Sequence, residues 1–237
     1  MPYFYGIDWT YIVIVLPCII LAAIASASVN STFKKYAKQI SRRRITGAEA
    51  AQRVLSAHGV YNVRIERVSG NLTDHFDPKT NVIRLSDSVY DSPSTAAIGV
   101  ACHEAGHAVQ YAQNYAPIKL RAAIIPITNI GSHLAMPLIL LGIVLGGAGY
   151  YSSLFIELGI LCFSLSLVFQ LITLPVEFNA SRRAMETIKQ TDILTQDEQA
   201  GARKTLTAAA MTYVAAVAVA LAQLLRLVLL FGGRRDD

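Results

Sequence analysis

Four long stretches of the chain are predominantly apolar, and a block of alternating polar and apolar residues lies between the first two. The runs extend from about Trp9 to Val29, Ala122 to Ala148, Leu154 to Leu174 and Ala208 to Phe231. A helix rises about 1.5 Å per residue, so roughly 20 residues cross a hydrocarbon core of about 30 Å. Each run is long enough to span. Pro126 and Pro137 in the second run are predicted to kink it without ending it, as membrane helices allow.

The first run invites a second reading, a cleaved signal peptide ending near Ala25-Ser26-Ala27. No Lys or Arg precedes it, only Asp8, whereas Lys34, Lys35, Lys38, Arg42, Arg43 and Arg44 follow it. A signal peptide carries its positive charge ahead of the apolar run, and positive loops stay in the cytosol. The pattern predicts an uncleaved anchor whose continuation is cytosolic.

Residues 45 to 120 form the block of different texture. Thr46-Gly47-Ala48-Glu49 is a capping-box pattern opening a short helix that should stop at Gly59. "NVRIERV" from Asn62 and "NVIRLS" from Asn81 alternate with period two and predict strands. The "SGNLTDHFDPKT" stretch between them reads as turn, with Asp77-Pro78 as a breaker. Ser92-Pro93-Ser94 offers an N-cap for a helix running to about Tyr115 and ended by Pro117.

The remaining segments carry smaller signals. "GGAGYYSS" reads as a short turn joining the second and third runs. Asn129, Ser132 and His133 share one helical face, the usual signature of packing between membrane helices. Residues 176 to 207 read as a polar connector, and Arg226 is close enough to the end of the last run to snorkel. Arg234 and Arg235 in the tail fall on the outer side of this topology, against the charge bias.

Composition agrees with the pattern. Charged residues make up 16% of the 237, against about 25% in an ordinary soluble domain. The net charge of +5 gathers beside the apolar runs, and no nucleic-acid signature accompanies it, so no nucleic-acid partner is expected. Cys18, Cys102 and Cys162 each sit in apolar surroundings without C-x-x-C spacing, which predicts small buried residues.

The candidate chemistry lies in "VACHEAGHAVQ", residues 100 to 110, well inside the predicted helix. Residues four apart share a helical face, so His103 and His107 can present two imidazoles to one metal. Glu104 is rotated away from them, a placement that suits a carboxylate acting on an attacking water. Gly106 costs about 1 kcal/mol against Ala inside a helix, which close backbone packing would justify.

A catalytic zinc needs a third protein ligand and an open position. No further histidine follows His107 in the metzincin manner. Glu157 lies near the start of the third run, on the opposite side of the membrane. His75 is on the correct side and remains a candidate. Glu177, just after the third run in "LPVEFNASRRA", is better placed. Two crossings separate it from the motif, and an even number is what a shared metal requires.

"LTDHFDP", "RLSDSVY", "AIGVACHEAGHAVQYA", "LPVEFNASRRA" and "AAAMTYVAA" together resemble the YugP-type neutral zinc metallopeptidases, bacterial membrane proteins. The resemblance covers nearly the whole chain. It implies one zinc ion on His103 and His107, Glu104 as general base, and Glu177 as the third ligand. A broader similarity is to the HtpX-type membrane proteases, whose ligand glutamate is followed four residues later by Asp. Ser181 stands there in this chain and cannot supply a charged contact to a ligand histidine. Asp74, Asn179 and Arg183 are alternatives for that role. His75 is a further candidate, for stabilising an oxyanion.

The expectation is a mainly α integral membrane protein with about four transmembrane helices and a small α+β, gluzincin-like catalytic region containing short strands. An anchor over residues 1–33 precedes a cytosol-facing α+β segment, 34–120. A transmembrane hairpin, 121–175, a third-ligand helix and connector, 176–207, and a last transmembrane helix with its tail, 208–237, complete it. The expected activity is zinc-dependent hydrolysis of peptide bonds in a protein or peptide substrate, in the cell membrane at the cytosolic face. Its other partners would be the lipid bilayer and a homo-oligomer or membrane protein. The alternative is a metal-binding membrane adaptor or chaperone-like protein with lost or restricted peptidase activity, and Ser181 is the feature that favours it.

Overall fold

The computed structural model describes residues 8–145 and 150–232. The glycine part of the expected "GGAGYYSS" turn and the arginines of the tail lie outside the described residues. Six α-helices are seen: α1 (Leu16–Tyr36), α2 (Gly47–Ala57), α3 (Thr95–Ala112), α4 (Ala116–Val144), α5 (Tyr150–Gln190) and α6 (Gln199–Phe231). A π-helical turn, Tyr11–Val15, leads into α1. Three strands, β1 (Arg64–Val68), β2 (His75–Asp77) and β3 (Val82–Ser86), form one small sheet.

The chain divides into two compact units. The first comprises Met1–Ile24, Leu120–Leu174 and Thr212–Asp237. Helices α1, α4, α5 and α6 are each long and apolar enough to cross a membrane. Their apolar side chains are largely uncovered by protein; Leu21, Ile24, Ile130, Leu161 and Leu229 are all exposed. So much exposed apolar surface requires hydrocarbon around it. The protein is a mainly α membrane protein.

Small residues hold α4 to α5 within this unit. A Cβ at Gly142 would stand 2.7 Å from the Ser152 carbonyl, and one at Gly159 would stand 2.9 Å from that of Ala135. Backbones this close gain dispersion contacts that lipid does not supply. Ser132 and Ser166 add a 2.8 Å hydrogen bond. Arg226 does not snorkel. It is buried, with its Nε donating to Asp8 Oδ1 at 3.2 Å and its guanidinium 5.3 Å from the Tyr11 ring centroid.

The second unit comprises Ala25–Lys119 and Pro175–Met211 and holds the main aliphatic core. Thr46 forms the capping box with Glu49, fixing the start of α2, and Gly59 ends it with φ +69°. The sheet order is β1-β3-β2, with β1 parallel and β2 antiparallel to β3. Ile83 and Leu85 of β3 are fully buried, together with Val54 and Leu55 of α2 and Ile98 and Val109 of α3. Cys102 is buried here too, while Cys18 and Cys162 are half-buried, and all three are free thiols.

Three expectations about elements need correction. The turn-rich stretch holds a strand: His75–Asp77 pairs with Val82–Arg84 before Asp77 caps the turn through Lys79 N and Thr80 Oγ1. Helix α3 stops at Ala112, because Asn114 adopts a left-handed φ of 56°. Pro117 lies in the first turn of α4, where its missing N–H breaks no helical bond. The polar connector is mostly helix, since α5 continues to Gln190 with Pro175 inside it. The continuation follows from its pattern: Val176, Ala180, Ala184 and Ile188 recur every four residues and are fully buried.

Gly106 sets how closely α3 approaches α5. A Cβ there would stand 2.8 Å from the Ala180 carbonyl oxygen, a backbone atom that cannot swing aside. Gly106→Ala should gain roughly 1 kcal/mol of helix propensity but lose about 1–3 kcal/mol to overpacking. The expected net result is a loss of about 1 kcal/mol in denaturant unfolding; a stabilised variant would show that the two helices have room to spare.

Candidate metal centre

Helix α3 starts from Ser94, whose hydroxyl accepts from Ala97 N. It buries most of its length, so the two imidazoles emerge from a rigid support. His103 and His107 lie one turn apart with ring centroids 4.7 Å apart and planes at 83°. Glu177 reaches them from α5, first seen two residues beyond Pro175, and is almost wholly buried. Its Oε2 lies 3.3 Å from His103 Nε2 and 3.4 Å from His107 Nε2. One ligand atom from each of the three residues falls within 4.8 Å of the others.

These lengths test whether the group fits a metal. Zinc binds imidazole nitrogen and carboxylate oxygen at about 2.0–2.2 Å with tetrahedral geometry, which separates neighbouring ligand atoms by about 3.3–3.5 Å. The two N···O separations match that edge. The donor set, two imidazoles and one carboxylate, is also one that zinc accepts while keeping a position open. The residues present fit the ion.

Behind each ring stands a neutral partner. Ser181 Oγ is 3.0 Å from His103 Nδ1, and Gln110 Oε1 is 3.0 Å from His107 Nδ1. Gln110, fully buried, donates through Nε2 to the Val176 carbonyl at 2.8 Å and to Asn179 Oδ1 at 3.0 Å. Asn179 Oδ1 also accepts from Arg183 Nε at 2.7 Å, and Arg183 Nη1 donates to Gln113 Oε1 at 2.5 Å. Each ring therefore has its Nδ1 engaged and turns its Nε2 toward Glu177.

Burial favours the uncharged form of His107, but the hydrogen bond and charge of Glu177 outweigh it, and its pKa lies above the ordinary value. Glu104, part-buried, contributes in the same direction, so its carboxylate lies within electrostatic reach of the ring. Its charge also reaches Asp74. Burial pushes the Asp74 carboxyl up, hydrogen bonds from Ser86 oppose that, and the Glu104 charge adds to it.

The sequence-predicted residues thus divide. His103, His107 and Glu177 converge, and Glu104 lies beside them. Glu157 sits 20 residues before Glu177 on α5, roughly 30 Å along the helix axis. His75 is exposed on β2, its Nδ1 2.9 Å from the Thr73 carbonyl, and is not in the converging group. Asp74 is engaged by Ser86 N and Oγ rather than by a histidine. Asn179 and Arg183 do connect to a ring, but to His107 and through Gln110. Sequence reasoning passed over Gln110. Its signal was present, since an uncharged polar residue three positions after His107 and seven after His103 shares their face.

Comparison with known proteins adds to the geometry. A family model described as "Putative neutral zinc metallopeptidase" matches residues 11–232. The chain is 46% identical over 213 residues to the "Putative membrane protease YugP" of Bacillus subtilis strain 168, covering 90% of this chain and 92% of that relative. No solved structure matches. The family match begins at the turn leading into α1 and ends just past α6, enclosing the converging histidines and glutamate, and the chain belongs to the family so described, that of the neutral zinc metallopeptidases.

Proposed function

We propose that this chain is a zinc-dependent endopeptidase anchored in a membrane, with His103, His107 and Glu177 as the metal ligands and Glu104 as general base and acid. The observation that carries the proposal is the convergence of the three ligand atoms within 4.8 Å, from segments 70 residues and two membrane-length helices apart, with both N···O separations at a tetrahedral edge. A zinc ion there supplies Lewis acidity that polarises the scissile carbonyl and activates the attacking water. The Glu104 carboxylate takes the proton from that water and passes it to the leaving amine. Glu104 is close enough for its charge to act on His107 and Asp74, and it is not one of the three converging ligands.

The substrate is a protein or peptide. Strand β2 is an edge of the sheet and packs against α3, with Phe76 and Tyr111 in ring contact at 5.6 Å. An extended peptide can pair with such an edge through its main chain, largely independent of sequence. The cluster from Lys34 to Arg44 follows α1 directly, which supports a cytosolic position for the segment that carries the site. The adaptor reading leaned on Ser181, but its hydroxyl occupies the place of a ligand-orienting contact, and nothing else favours that alternative.

Three outcomes are expected. Glu104→Gln should retain one zinc per chain and lose peptidase activity on an unfolded protein substrate by at least about 100-fold, the low end for general base catalysis. Cleavage at the wild-type rate would overturn the mechanism. Glu177→Ala should lose most of the zinc in metal analysis of purified protein, and unchanged stoichiometry and affinity would remove Glu177 from the ligand set.

The third outcome concerns pH. Because the His107 pKa is raised, the Glu177 contact stabilises the metal-free fold fully below about pH 6.5 and is lost as pH rises through the raised value. Zinc must displace that proton, so its affinity runs the other way and climbs with pH beyond 6.5. Thermal unfolding with chelator and with zinc should show opposite pH trends; parallel trends would dissociate His107 from the ion.

A further inference from the structure

Gln110 is a buried amide with every hydrogen-bonding group engaged. Its orientation follows from groups whose roles admit no choice. The Val176 backbone carbonyl can only accept, so the nitrogen of Gln110 must face it. The second hydrogen of that nitrogen goes to Asn179 Oδ1, and Arg183, which can only donate, requires that atom to be the oxygen. A flipped Gln110 amide would set its oxygen against two acceptors at a fully buried position. The carboxamide oxygen therefore faces His107 Nδ1, which must carry the hydrogen of the 3.0 Å contact. In the neutral ring Nε2 is then left with its lone pair, aimed into the cluster with Glu177.

We infer that Gln110 is the positioning residue for His107, and that Asn179 and Arg183 hold it in register, so that this network presents Nε2 of His107 to the metal. The inference rests on the metal reading above and adds how one ligand is selected and aligned. It has a chemical consequence. An outer carboxylate raises the basicity of the imidazole it holds, whereas a neutral amide backed by a guanidinium does not. His107 is held in place without being made more electron-rich. His103 has no equivalent constraint, because the Ser181 hydroxyl can donate or accept. The two histidines are thus positioned by unlike devices.

The test measures zinc affinity on the purified full-length protein by chelator competition, for the wild type, Gln110→Leu and Gln110→Glu. Gln110→Leu removes the acceptor and should weaken zinc 10- to 100-fold, the usual effect of losing an outer partner. Gln110→Glu keeps an acceptor for Nδ1–H but loses the donors to Val176 and Asn179, so it should recover most of the affinity while folding less stably. A purely structural role gives the reverse ranking, with the buried carboxylate the worse of the two, and that ranking overturns the inference. So does zinc affinity within twofold of wild type in Gln110→Leu.

A readout on the wild type needs no variant to fold. Selective ¹⁵N labelling of the zinc-loaded protein should show a protonated Nδ1 on His107, and an unprotonated Nδ1 overturns the assignment. A wild-type chain that binds no zinc defeats the metal reading and this inference with it. A zinc-binding wild type beside an unaffected Gln110→Leu defeats the inference alone.

Discussion

Two helices can place ligands on one small ion only if their backbones come close enough for short side chains to meet. Helices α3 and α5 come that close where Gly106 faces Ala180, with no side chain larger than a methyl between them. Glu177 lies nearly one turn before Ala180, His103 lies nearly one turn before Gly106, and His107 directly follows it. The N···O separations of 3.3 and 3.4 Å are a consequence of that approach. A bulkier pair at the crossing would push the carboxylate out by an ångström or more, beyond the tolerance of metal coordination at about 2.0–2.2 Å. The glycine's cost in helix stability is offset by the contact it permits.

The same crossing explains how charge is buried. Glu177 is almost wholly buried, and a lone buried carboxylate would neutralise itself rather than stay ionised. The two imidazoles beside it favour its charge, and a bound divalent ion would add to that. Behind the rings the protein uses Ser181, Gln110 and Asn179, which satisfy each other without adding a second buried anion. Charge appears only at the end of the network, where Arg183 is partly exposed and also stacks near the Tyr115 ring. Near the rings the acidic groups Glu104 and Asp74 act on each other, while the guanidinium reaches His107 only through Asn179 and Gln110.

The membrane-length helices are built on a different principle. Their outer surfaces are largely apolar, so packing between them depends on shape, and glycines at 131, 142 and 159 supply it. Among the described residues Asp8 and Arg226 form an ion pair that joins the entry to α1 with the late turns of α6. Pairing offsets the cost that an unpaired charge carries in lipid. α5 belongs to both principles. Its first part presents Gly159 to α4, and its last part presents Val176, Ala180 and Ala184 to an aliphatic core.

Much of this was legible along the chain because it depends on neighbours within a turn or two. Apolar run length marked the four spans, the Thr46–Glu49 pair marked the start of α2, and the spacing of His103 and His107 placed both on one face of α3. The similarity of whole motifs pointed to Glu177. Strand β2 was hidden because three residues before an Asp-Pro breaker have no signal of their own, and only pairing with β3 makes them a strand. The true end of α3 depended on the left-handed Asn114, and the length of α5 on a buried face that a polar composition disguised. Gln110 could be placed on the histidine face, but its role required knowing that Val176 and Asn179 stand opposite. The sequence by itself determined which groups are available and how they are spaced on each helix, since helical geometry is local. Only the tertiary structure decided which of them meet, because the approach of α3 to α5 is set by packing between segments some 70 residues apart along the chain.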